Sequence, residues 1–138
     1  MHNINYAPVR RKSRDEILQT LSSGTAKDMA AALLSAAYWD PDWKWAEKQL
    51  VRFAAHDDPQ VLWTVASGFG LLAAFHGEVD LDIVEPILAK LRLDTSAPGV
   101  ADAAENSTDE IDHFVKRRRA GENVELGERM PEDWRPSS

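Results

Sequence analysis

The 138-residue chain contains no cysteine, which removes disulfides and thiolate metal sites and accords with a reducing compartment. No apolar run approaches the roughly 20 residues that cross a bilayer. The opening MHNINYAPVRRK places its basic residues after the tyrosine with no apolar stretch behind them. It therefore does not read as a secretory leader, and cytoplasm is the expected location. No segment alternates apolar and polar residues for long enough to make a strand. A His-Glu-x-x-His helix, a Gly-x-Ser-x-Gly elbow, a phosphate-cradling glycine loop and a dinucleotide fingerprint are all missing. No catalytic residue, cofactor or metal is expected, and a small-molecule substrate is disfavoured.

What is present is helix punctuation. Ser13-Arg14-Asp15-Glu16 reads as a capping box opening a short helix that stops at Gly24. Thr25-Ala26-Lys27-Asp28 opens an alanine-rich helix to about Tyr38. Asp40-Pro41 and Asp58-Pro59 each place a capping carboxylate before a first-turn proline. The helices they open are predicted to run to about His56 and from Val61 to Phe75, the latter ended by Gly77. Asp80 is expected to cap a fifth helix through about Leu93, with Pro86 inside it. A sixth is expected from Pro98 to about Arg119.

The last four helices repeat. Trp43, Ala46, Leu50 and Phe53 recur 38 positions later as Leu81, Val84, Leu88 and Leu91. Val61, Val65, Leu72 and Phe75 recur 39 positions later as Val100, Ala104, Ile111 and Phe114. A helix pair returning about every 40 residues is the signature of an α-solenoid, whose pairs bury a continuous core only when stacked. The predicted fold is all-α: a right-handed α-solenoid of about three antiparallel helix pairs over 13–119. An N-terminal arm (1–12) and a C-terminal tail (120–138) flank it, the tail expected to pack through Trp134.

The net charge of −7 is uneven, with five Lys/Arg against fifteen Asp/Glu over residues 40–115. An acidic body disfavours nucleic acid as partner, since a phosphate backbone must be met by cations. It suits a basic protein partner and steered association, although solubility alone also explains it. The carboxylates Asp40, Asp42, Asp57, Asp58, Glu78, Asp80 and Asp82 cluster at helix ends, where the helix dipole already accounts for them. Glu78-x-Asp80-x-Asp82 lacks the central glycine and terminal glutamate of a calcium loop. Asp109, Glu110 and Asp112 have no third group to complete an active site. His113 is spaced to pair with Asp109. The basic arm (Arg10, Arg11, Lys12, Arg14) and the block Lys116–Arg119 are expected to lie against the acidic body or a helix C-terminus.

The run Asp57-Asp58-Pro59-Gln60-Val61 and its counterpart Ala97-Pro98-Gly99-Val100 resemble the inter-helix turn of HEAT repeats. Pro86 inside a first helix is HEAT-like as well. The second repeat departs from that pattern in lacking the aspartate before its proline, and in carrying polar Asn106-Ser107-Thr108. The stretch from Trp39-Asp40-Pro41-Asp42-Trp43 to Phe75-His76-Gly77-Glu78-Val79-Asp80 is similar to small HEAT-like proteins of bacterial toxin–immunity loci. These include immunity proteins of contact-dependent growth inhibition systems. That resemblance implies a protein that binds and neutralises a cognate toxin domain, with no enzymatic activity and no membrane association. A scaffold for another protein remains the alternative, and a helical-repeat enzyme acting on nucleic acid a distant third.

In a solenoid the second helices line the concave face. On the helix at 59–76 the stripe opposite the core reads Gln60, Thr64, Ser67, Leu71 and Ala74, with Trp63 beside it. On the last helix it reads Gly99, Ala103, Asn106, Glu110 and His113, and on the leading pair Asp28, Ala31, Ser35 and Tyr38. Of three clustered tryptophans, Trp43 falls on the core stripe. Trp39 and Trp45, interleaved with Asp40 and Asp42, suit a partner Arg or Lys through cation–π contact plus a salt bridge. The competing explanation is that this turn packs its own aromatics. The candidate partner-binding residues are Tyr38, Trp39, Asp40, Asp42, Trp45, Trp63, Ser67, Asn106, Glu110 and His113.

Overall fold

A computed structural model describes residues 9–130; Trp134, the expected tail anchor, lies outside them. The described chain is all-helical: α1 (Arg14–Ser23), α2 (Ala26–Trp39), α3 (Trp43–Arg52), α4 (Pro59–His76), α5 (Leu81–Arg92) and α6 (Val100–Glu110). The last continues without a break through a π-helical segment, Ile111–Lys116, and a final turn, Arg117–Arg119. No described helix is long and apolar enough to cross a membrane.

Local chemistry sets most boundaries. Ser13, Thr25, Asp42 and Asp58 each accept backbone N–H groups of the turn that follows, satisfying donors a helix start leaves orphaned. Gly77 ends α4 with φ of 68°, a left-handed cap that favours glycine. Four ends differ from expectation. Helix α3 opens at Trp43 on Asp42, not on Asp40 with Pro41 in its first turn, because the Asp40 carboxylate is taken up by Arg14 and the Asp42 N–H. Helix α3 stops at Arg52, its last residues forming turns rather than reaching His56. Helix α6 opens at Val100 after Gly99 with φ of 78°, not at Pro98. With no aspartate before this proline, no side-chain cap holds an earlier start. Asp80 is the N-cap of α5 but makes no side-chain capping bond.

The helices stack as hairpin pairs: α1 with α2, α3 with α4, α5 with α6. The second helices α2, α4 and α6 lie side by side in one layer, α4 in the middle. The repeat found in the sequence is the core. Leu50, Val61, Val65 and Leu72 are buried, as are their counterparts Leu88, Val100, Ala104 and Ile111. Trp43, Phe53, Leu81 and Phe114 pack against that core half-buried. Polar Ser107 is buried too: its hydroxyl donates to the Ala66 carbonyl (2.5 Å) and accepts from the Gly70 N–H (3.1 Å). A Cβ on Gly70 would come within 2.6 Å of that oxygen, so glycine is what lets α6 close on α4 here.

Candidate partner-binding face

Each second helix contributes to one groove. Tyr38 of α2, Trp63 and Ser67 of α4, and Asn106 and Glu110 of α6 line a cavity of about 530 Å³, with Leu34, Leu71 and Asp102 among its other walls. Helical spacing accounts for the alignment, since residues three and four apart share a face. Gly99 and Ala103 of the expected stripe also line the groove, whereas Thr64, Ala74 and Ser35 are buried outside its lining. The Ser35 hydroxyl accepts from the Lys12 N–H (3.0 Å), because residues 9–12 lie along α2.

Glu110 is half-buried and makes no ion pair among the described residues. Loss of hydration holds its carboxyl above the usual carboxylate range. Trp63 is the one exposed aromatic among the described residues, at 45%. His113 stands outside the groove on the π-helical segment. Its Nδ1 meets Arg117 at 3.0 Å and its ring abuts Phe114 edge-on, so the expected pairing with Asp109 does not form.

The Trp-Asp turn between α2 and α3 is a separate place, and the chain fills it from within. Arg14 donates from Nε and Nη2 to the two Asp40 carboxylate oxygens, each at 2.8 Å, and lies 3.8 Å from Asp42. Its guanidinium stacks over Trp45 at 4.5 Å, while Arg11 stacks over Trp39 at 4.2 Å. Trp39 Nε1 donates to the Val9 carbonyl at 2.7 Å. The chemistry read as suited to a partner's cation is engaged by the chain's own arginines. The sequence places Arg14 in a basic arm, and no local signal pairs it with Asp40, 26 residues and two helices further on.

Residues 127–130 pack on the C-terminal ends of α2 and α4. The Gly127 N–H donates to the Ala74 carbonyl at 2.7 Å. Arg129 donates to the Tyr38 carbonyl, meets His76 Nε2 at 3.1 Å and covers the Phe75 ring at 4.8 Å. The Met130 N–H donates to the Tyr38 hydroxyl. The second basic block also turns inward: Arg118 donates to the His76 carbonyl at the C-terminus of α4, and Arg119 to Val79 and Glu78.

Among the described residues no group of three His, Asp or Glu side chains is placed to hold a metal ion. No protein-family model matches the chain, and no curated protein does. A solved structure does: a chain in the crystal structure of the CDI complex from Cupriavidus taiwanensis LMG 19424. The two share 30% identity and superpose with a TM-score of 0.70, covering 81% of this chain and 98% of that one.

Proposed function

Since the chain belongs to the family of that CDI-complex chain, we propose that it is an immunity protein of a contact-dependent growth inhibition system. In this reading it sits in the cytoplasm, binds a cognate toxin domain encoded beside it, and neutralises that domain by occlusion. The observation that carries the reading is the 30% identity sustained over 98% of a chain found in a CDI complex.

The charge distribution supports a basic protein as partner. Among the described residues, Asp102 and Glu110 are the charged ones lining the groove, with no lysine or arginine beside them. Such a surface repels a phosphate backbone, which also counts against a nucleic-acid-acting enzyme. The contact face in this proposal is the groove (Tyr38, Trp63, Ser67, Asn106, Glu110), extended by His113 and by the Trp39–Trp45 turn with Asp40 and Asp42.

The test is binding and rescue with the toxin domain encoded immediately upstream. One-to-one association at nanomolar or lower Kd, weakened by salt, together with restored growth of cells expressing that domain, is the expected result. Absence of both binding and rescue would sink the proposal.

A further inference from the structure

Building on the immunity reading, we propose that the α2–α4–α6 groove receives a basic protruding segment of the toxin domain. One cationic side chain of that segment pairs with Glu110, and another stacks on Trp63 beside Asp102. The argument rests on what the groove offers and what it withholds. Its walls are apolar and aromatic (Leu34, Leu71, Trp63), its charges are carboxylates, and no cation among the described residues lines it.

Inside this chain, half-buried indole rings and carboxylates elsewhere have found arginines: Arg14 serves Asp40 and Trp45, and Arg11 serves Trp39. Glu110 and Trp63 have no such partner among the described residues. A half-buried carboxylate without a counter-charge is an unfavourable arrangement in the free protein. An incoming guanidinium or ammonium relieves it, so the interaction is worth most when the groove is covered and dry. An exposed indole face offers the matching cation–π site.

The two anchors are spaced along the groove. Glu110 Oε1 lies near Gly70, and Gly99 lies near the Trp63 ring. The seven residues from Trp63 to Gly70 on α4 correspond to roughly 10 Å at 1.5 Å rise per residue. A segment rather than a single side chain is therefore needed to reach both. Residues 1–8, which precede the Val9 wall of the groove, contain no Lys or Arg.

The experiment is calorimetric titration of the upstream-encoded toxin domain into the full chain and its E110Q, W63A and D82N variants, at two salt concentrations. Expected are Kd values about tenfold or more weaker for E110Q and W63A, a shallower salt dependence for E110Q, and no change for D82N on the outer helix α5. Tight binding by the wild type with equal binding by E110Q and W63A overturns this inference and leaves the immunity reading intact. No binding by the wild type overturns both. Two further outcomes would reassign the groove: a change in free-chain Tm on E110Q that vanishes when residues 1–8 are deleted, or concentration-dependent dimerisation lost in W63A.

Discussion

Arg14 and Asp40 form a bidentate pair, both contacts at 2.8 Å, that fastens the first turn of α1 to the turn between α2 and α3. The Asp40 side chain is 9% exposed and also accepts the Asp42 N–H at 2.9 Å. Burial alone would raise its carboxyl. The Arg14 hydrogen bonds, the Asp42 N–H and the Arg14 charge together outweigh that and hold it below the usual carboxylate range. With Trp45 beneath Arg14, one arginine organises the region where the leading helix pair meets the first full repeat.

Replacing either partner should loosen this corner without unfolding the chain. R14M and D40N are each expected to lower Tm by a few degrees, the Arg14 side being solvent-exposed and screened. The double variant should lose little more than the worse single one, because the two act as one unit. A depressed folded-state pKa stabilises above the unfolded value, near 3.9, and that contribution is lost as pH falls through the folded one. The wild-type difference from D40N should therefore be flat from about pH 7 to 8, with a change at lower pH where His76, which feels the Asp40 charge, titrates. Thermal melts of the four proteins at several pH values check both points.

Glu47 is 6% exposed, and its Oε2 accepts the Asp80 N–H at 2.7 Å, joining α3 to the start of α5. Burial pushes its carboxyl up; the Asp80 hydrogen bond opposes this, the Asp80 charge adds to it and Lys44 subtracts. A raised acid binds its proton better folded than unfolded, so its contribution to stability falls as pH rises through the folded pKa. E47Q keeps an acceptor and sheds the charge, so stability at pH 7 should be unchanged or higher. E47A removes the acceptor and should cost about 1–2 kcal/mol. Urea unfolding of the two variants distinguishes hydrogen bonding from charge as the reason for this residue.

Much of the fold was legible because its determinants are local. Capping side chains act within three residues, and the 38–39-residue recurrence displays the core directly, down to the pairs Val61/Val100 and Leu72/Ile111. The groove residues could be grouped because a helical period places Trp63 and Ser67, or Asn106 and Glu110, on one face. Interactions between distant positions were not legible. Nothing near Arg14 in the chain announces Asp40, 26 residues on. Nothing near Glu47 announces Asp80, whose own side chain leaves the cap unmade. Ser107 read as a departure from an aliphatic pattern, yet its hydroxyl is spent on the α4 backbone across the closest approach to α6. The π-helical segment has no local sequence signal either; only packing shows that Val115 is buried along with Ile111.

His76 supplies the clearest pH dependence. It is half-buried, with Arg129 against its Nε2 and Asp40 and Asp42 acting on it through their charge. Burial lowers its pKa first and Arg129 lowers it further; the two carboxylates oppose them without reversing the sign. A histidine held neutral when folded takes its proton earlier in the unfolded chain. Its contribution is thus complete above the ordinary value of about 6.5 and is lost as pH falls from there through the folded pKa. Protonated His76 then faces the Arg129 guanidinium, so the loss should concentrate where Arg129 holds the C-terminal segment to Tyr38 and Phe75. The protection factor of the Gly127 amide, which donates to Ala74, should fall severalfold between pH 7 and pH 5 once exchange is referred to the intrinsic rate at each pH, while core amides such as Val65 and Leu72 stay protected. In H76Q, which retains polar reach but not the titration, this fall should disappear. An equal fall in H76Q would place the pH sensitivity on another group.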